Sequence, residues 1–186
     1  MSTMTISTGS DDCYASAFGS LVTGSTALML AGTSGITDAD VRTWMSFVVP
    51  LPKSKIITSA TVKWIATDGR TEPVSIAIYC GAADNASVPA DQAALFAKSL
   101  STAHNDYSLA TYDIGVEYSY TVTTSVQEIL NRAGWVYGNT MAILIVDNGT
   151  IDFRRREIAA SENVTYAEPK LDIVFPAYIP RSSGVY

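Results

Sequence analysis

The run that decides the fold lies between Val126 and Phe175: VQEILNRAGW (126–135), MAILIVDNGT (141–150), IDFRRREIAA (151–160) and EPKLDIVF (168–175). Val126, Ile129 and Leu130 recur at i, i+3 and i+4, which is one face of a helix. Thr124 with Gln127, or Ser125 with Glu128, has the spacing of a capping box. Gly134 stands where a C′ glycine ends a helix. Thr140 to Val146 is a continuous apolar run, the pattern of a strand buried on both sides or at a sheet centre. Asp147-Asn148-Gly149-Thr150 is the strongest hairpin signal in the chain, because such turns need left-handed residues that Asn and Gly supply. Ile151 to Ala160 is expected to pair back, and Pro169 to Phe175 to close the sheet.

Upstream, strands dominate. Met4 and Ile6 mark a weak edge strand or arm, and Ala27 to Ala31 a short apolar strand. Trp44, Phe47 and Val49 are strand formers in a run from Arg42 that Pro50 and Pro52 end. From Ile56 to Ala66, residues Ala60, Val62, Trp64 and Ala66 share a face by the period of two. Val74, Ile76, Ile78 and Cys80 alternate with Ser75, Ala77 and Tyr79. Gln92 to Lys98 has the composition for two helical turns. Asp106 to Ile114 and Glu117 to Val122 read as strands. About nine or ten strands with turn signals between them make a sandwich or barrel, and one short helix among them rules against a parallel α/β sheet. The expected division is an arm or edge strand over 1–10, one domain over 11–176 and a tail over 177–186. Loops 32–40 and 81–110 are the least regular parts.

Composition limits the function. The chain has 186 residues, a net charge of −6 and 16% charged residues, against a usual charged share of about 25%. An acidic, weakly charged chain is not built to neutralise phosphates, so nucleic acid is not an expected partner. No apolar run reaches the length of a membrane span. The N-terminus MSTMTISTGSDD lacks the basic and apolar regions of a signal peptide, so Cys13 and Cys80 are expected as reduced thiols, with a bridge open only to neighbouring strands.

Candidate chemistry is sparse. His104, the one histidine, sits in a His-Asn-Asp turn and reads as an exposed loop residue. No nucleophile elbow accompanies it, and the chain is expected not to be an enzyme. Asp11-Asp12 and Asp38-x-Asp40 are oxygen-rich loops that calcium can use, although solvated turns need the same residues; no cofactor is expected. Arg154-Arg155-Arg156 places Arg154 and Arg156 on one face of a strand and Arg155 on the other. One arginine must therefore lie on the buried side or at an edge. Either the row guards an edge strand, with Glu157, Glu162 or Glu117 as partner, or it makes an ion pair between subunits. These three arginines, with Tyr178 and Tyr186 of the tail, are the candidate interface. Trp135, Tyr137 and Tyr107 are the candidate glycan contacts, since exposed aromatics stack on sugars, while core packing and subunit contact account for aromatics equally well.

RTWMSFVVPLPKSKIITSATVKWIA (42–66), VSIAIYCGAADNA (74–86), VQEILNRAGWVYGN (126–139) and EPKLDIVF (168–175) together resemble DNRLRE-type, carbohydrate-binding-module-like jelly rolls. The VQEI-x-NR-x-GW-x-x-GN pattern is similar to a subgroup in phage structural proteins and large bacterial surface proteins. A Trp-Thr-Glu…Thr-Trp stretch of the wider family is missing between Ala82 and Ser119. The resemblance implies an all-β, antiparallel jelly-roll β-sandwich with one short helix. It implies a non-enzymatic virion structural protein, a capsid decoration or fibre-type component made in the host cytoplasm. Its partners would be capsid or tail proteins and further copies of itself. The alternative it implies is a glycan-binding module for host adhesion.

Overall fold

The computed structural model describes residues 12–31, 40–150 and 154–176, and the backbone of 2–5. In chain order the described elements are β1 (Ser2–Thr5), β2 (Asp12–Ser16), β3 (Val22–Thr23), β4 (Ala27–Ala31), β5 (Val41–Val48), β6 (Ser59–Ile65), β7 (Val74–Gly81), α1 (Gln92–Phe96), β8 (Leu100–Leu109), β9 (Glu117–Thr121), α2 (Thr123–Leu130), β10 (Thr140–Asp147), β11 (Arg156–Ala159) and β12 (Lys170–Val174). Three antiparallel sheets form: β1-β12-β6-β9, β3-β2-β5-β10-β7-β8, and the pair β11-β4. The first two pack face to face as a β-sandwich. The chain crosses between them at β5–β6, β6–β7, β8–β9 and β9–β10.

Alternation fills the space between the sheets. Ala60, Val62 and Trp64 of β6 point inward, and Leu171 and Ile173 of β12 join them. Met45, Phe47, Ile76, Ile78, Met141, Ile143 and Ile145 face them from the six-stranded sheet. Cys80 falls on this inner face, as its alternation requires.

The apolar run 140–146 is the central strand β10, paired to β5 on one side and β7 on the other. Its outward residues Ala142 and Leu144 are buried too, in a second cluster with Cys13, Ala15, Trp44 and Leu95. The Trp44 indole reaches across this face: a Cβ on Gly81 would lie 3.2 Å from the Ala142 methyl and 3.9 Å from the ring. Helix α1 covers the cluster. Asp91 caps it by accepting from the Ala94 N–H at 2.7 Å, and the Gln92 amide donates to the carbonyls of Ser16 and Ala17. Two cation–π contacts fasten it to β5, Arg42 over Phe96 at 4.9 Å and Lys98 over Trp44 at 5.0 Å. The two turns expected over Gln92–Lys98 are this helix, so the described chain has two short helices rather than one.

Four expectations need correction. The Asn-Gly turn forms, with Gly149 at φ +79° and the Thr150 N–H donating to Asp147 Oδ1 at 2.9 Å. The strand after it does not pair back on β10, whose two edges are already taken; β11 pairs with β4 instead. Strand β8 begins at Leu100, earlier than the expected Asp106, and ends at Leu109. Helix α2 buries Val126, Ile129 and Leu130 as expected, yet no side chain caps it. Gln127 and Glu128 of the candidate capping boxes reach sideways instead, as does Thr123 at the start of the helix. Thr123 Oγ1 accepts from the Ala60 N–H at 2.9 Å, and the Gln127 amide accepts from Ile57 N–H and donates to the Lys55 carbonyl. The Glu128 carboxylate accepts from the backbone N–H groups of Thr102 at 2.9 Å and Ala103 at 2.8 Å. Charge-assisted bonds of this kind outweigh a neutral cap. Gly134 is not the C′ residue: the helix closes on Asn131, and Gly134 instead lets the Asp84 side chain approach its Cα closely.

Removing the Glu128 carboxylate strands two N–H groups on the edge strand β8. Glu128→Ala is expected to cost about 1–2 kcal/mol of stability, read from urea denaturation with an unchanged slope. An unchanged midpoint would show that water replaces the carboxylate at no cost.

Candidate docking surface

The arginine row divides into three roles. Arg156 is 0% exposed. Its guanidinium donates to the carbonyls of Arg155 at 2.8 Å, Ala110 at 2.6 Å and Glu72, and lies over the Tyr112 ring at 5.5 Å. No described carboxylate makes an ion pair with it. Burial lowers its pKa, while Asp68, Tyr112 and Glu72 act to raise it. The residue is thus a core fastener for the 70–73 and 110–112 segments, and it does not reach an interface. Arg155 pairs with Glu157 at 2.9 Å, the carboxylate expected for an edge guard, and Arg154 approaches the Pro73 carbonyl. Tyr178 and Tyr186 lie outside the described residues.

The tyrosines pack inward from the same side. Tyr112 Oη accepts from Trp64 Nε1 at 3.1 Å and shares a 2.8 Å hydrogen bond with Tyr120 Oη. Trp64 stacks on Tyr120 at 4.7 Å, and Tyr112 stacks on Tyr118 at 4.1 Å. Burial pushes the Tyr112 hydroxyl far above its ordinary pKa, so it remains a protonated donor. Tyr107, a candidate glycan contact, instead meets Tyr120 edge-on at 4.9 Å and donates to the Thr121 carbonyl at 2.8 Å. It bridges the open edges β8 and β9.

Trp135 is also absent from the surface. At 2% exposure it donates to the Leu51 carbonyl at 3.0 Å, so it has no face to give a sugar. What it anchors is a turn. The Gly138 N–H donates to Val49 O, the Val49 N–H donates to Asn139 O, and Gly138 takes φ +83°, which a side chain would strain. Asn139 Nδ2 donates to the Asp84 carbonyl, and Arg132 pairs with Asp84 at 2.7 Å. On this braced corner Val136 is 60% and Tyr137 67% exposed, beside Val48 at 57%. The sequence signal was there: an apolar pair follows the buried Trp135 inside a turn, where nothing remains to bury it. Ile114 and Val116 form a smaller exposed apolar pair at the β8–β9 connection.

His104 lies on strand β8 rather than in a loop. It stacks on Tyr79 at 4.6 Å and sits 3.8 Å from Asp106, a packing arrangement. Asp12 is buried and accepts from the Ser161 N–H at 2.8 Å, and Asp40 is 3.9 Å from Arg42. Asp11 and Asp38 lie outside the described residues. Among the described residues no three His, Cys, Asp or Glu gather as metal ligands. The two cysteines are free and buried on opposite faces of the six-stranded sheet; burial pushes the Cys13 thiol up to about 12. No described helix is long and apolar enough to cross a membrane. No protein-family model and no curated protein matches the sequence.

The division of the arginine row is testable. Arg156→Ala removes a donor from three carbonyls and empties the buried space over Tyr112, which is expected to cost about 3 kcal/mol or more. Arg154→Ala is expected to stay within about 0.5 kcal/mol of the parent. Equal effects in thermal denaturation would contradict the assignment of Arg156 to the core.

Proposed function

We propose that the chain is a non-enzymatic bacteriophage virion component, a capsid-decoration or fibre-type protein that docks on other particle proteins. The observation that carries this reading is the apolar corner of Val48, Val136 and Tyr137. Val136 and Tyr137 stand exposed on a turn braced by Trp135, Asn139 and the Arg132–Asp84 pair, and Val48 is exposed at the end of β5, where the next residue, Val49, bonds to that turn. A preorganised apolar patch loses little entropy on binding, and such patches mark interaction sites. Its position also agrees with the resemblance, since VQEILNRAGWVYGN runs through α2 directly into the corner. Low overall charge suits surfaces that are covered in an assembly. Many copies on one particle convert a modest contact into stable attachment, and self-association of the chain belongs to the same reading.

A second reading rests on Tyr137, whose exposed ring is a platform for a sugar. It predicts binding on a glycan array that is lost in Tyr137→Ala.

Val136→Asp combined with Tyr137→Ser is expected to leave the fold and melting temperature intact. Co-sedimentation with purified particles is expected to fall about tenfold or more, as for the loss of two central contacts. Undiminished co-sedimentation would overturn the docking role of this corner.

A further inference from the structure

Two exposed apolar patches stand at opposite ends of the sandwich. One is the corner of Val48, Val136 and Tyr137. The other is the pair Ile114 and Val116 in the β8–β9 connection. Strand β6, seven residues long and so roughly 20 Å, runs from one end to the other. It starts beyond the corner loop 49–58. It ends beside Ala66, whose N–H donates to the Val116 carbonyl at 3.1 Å and whose carbonyl accepts from the Gly115 N–H at 2.9 Å. The second patch is held in further ways. The Val116 N–H donates to the Asp113 carbonyl, the Asp113 N–H donates to Tyr118 Oη at 2.8 Å, and a Cβ on Gly115 would lie 3.3 Å from the Tyr166 ring.

The charges beside the two patches are opposite in sign. Residues 48–58 and 131–139 contain Lys53, Lys55 and Arg132 and no carboxylate. Asp84 neutralises Arg132 at 2.7 Å. Lys53 donates to the Ala133 carbonyl at 2.9 Å and Lys55 lies over the Phe175 ring, and no described carboxylate pairs with either. In a chain of net charge −6 this corner is a local reversal of sign. Residues 113–117 contain Asp113 and Glu117 and no cation. Neither makes an ion pair among the described residues. Lys63, on the strand beside Glu117, is held by Asp172 at 2.7 Å.

We propose that the chain self-associates head to tail, the corner of one copy seating on the 113–117 patch of the next. The proposal rests on the docking role of the corner and names its occupant, a second copy of this chain. Apolar groups meet at the centre, with Lys53 and Lys55 facing Asp113 and Glu117 around them. Corner against corner crowds lysines together, and patch against patch crowds carboxylates, so the contact pairs unlike surfaces. Such a contact leaves a free corner at one end of the pair and a free patch at the other, and it therefore repeats.

The test is sedimentation velocity of the purified chain across protein concentration and salt. The parent is expected to form an open-ended series of oligomers that grows with concentration and shrinks as salt screens the charges. A corner variant, Val136→Asp with Tyr137→Ser, and a patch variant, Ile114→Lys with Val116→Ser, are each expected to be monomeric with an unchanged melting temperature. Mixed together they are expected to form a one-to-one dimer and nothing larger, because each brings one intact surface. Charge reversal at Lys53→Glu with Lys55→Glu, and at Asp113→Lys with Glu117→Lys, is expected to give the same pattern without touching an apolar group. A parent that stays monomeric, a single variant that still associates, or a mixture that forms no dimer would each overturn the proposal. Co-sedimentation with purified particles separates this failure from failure of the docking reading. If the patch variant still binds particles and the corner variant does not, the corner docks on a different particle protein and only the head-to-tail contact falls.

Discussion

A strand with two apolar faces has to be covered twice. Strand β10 is such a strand, with Met141, Ile143 and Ile145 on one side and Ala142 and Leu144 on the other. The four-stranded sheet covers the first side. The second needs its own cover, which α1 and the loop before it provide. Much of the outer architecture follows. Gly81 and Ala142 are small so that the Trp44 indole can lie across them, and Leu95 closes the layer from above. Arg42 and Trp44, two apart on β5, each meet a partner two apart at the end of α1, Phe96 and Lys98. The contact is polarised and specific in position, which a plain apolar lid would not be.

Two stretches of the open β8 edge are closed by different means. At one, α2 turns its apolar stripe inward and spends Thr123, Gln127 and Glu128 on the strand ends around it. A helix that lacks a side-chain cap is tolerated because those groups satisfy backbone donors elsewhere, where they hold sheet to sheet. Further along that edge the tyrosines 107, 112, 118 and 120 fill the gap between β8 and β9, and the Arg156 guanidinium binds neighbouring carbonyls beneath them. A buried cation surrounded by carbonyls and an aromatic face is stabilised by dipoles instead of a counter-ion. It specifies the path of the 70–73 and 110–112 segments, because any other path leaves it unsolvated.

The elements were largely legible in the residues, since period and turn chemistry act locally. Strands β5, β6, β7, β9, β10 and β12 follow directly from alternation and breakers. Partner choice was not legible. The Asn-Gly turn promised a hairpin, and the prior claims of β5 and β7 on β10 made that impossible. The capping box failed for a related reason: Gln127 and Glu128 have local partners in sequence and stronger ones across the fold. Whether Trp135 and Tyr107 were core or surface aromatics stayed open, because composition does not say which face of a turn or edge strand is wet. The arginine row was half legible, since alternation required one buried member, but which arginine depended on a pairing with β4.

The exposed corner at 48 and 136–137 combines large apolar side chains with a turn held by Trp135, Asn139 and the Arg132–Asp84 pair. A rigid apolar corner is a docking element at low entropic cost. The most direct measurement of that claim is hydrogen–deuterium exchange of the chain free and bound to purified particles. Amides of residues 48–50 and 136–139 are expected to gain protection on the particle, while 154–156 remain as they are in the free chain. Protection gained at Arg154–Arg156 or on another face, with the corner unchanged, would contradict the account.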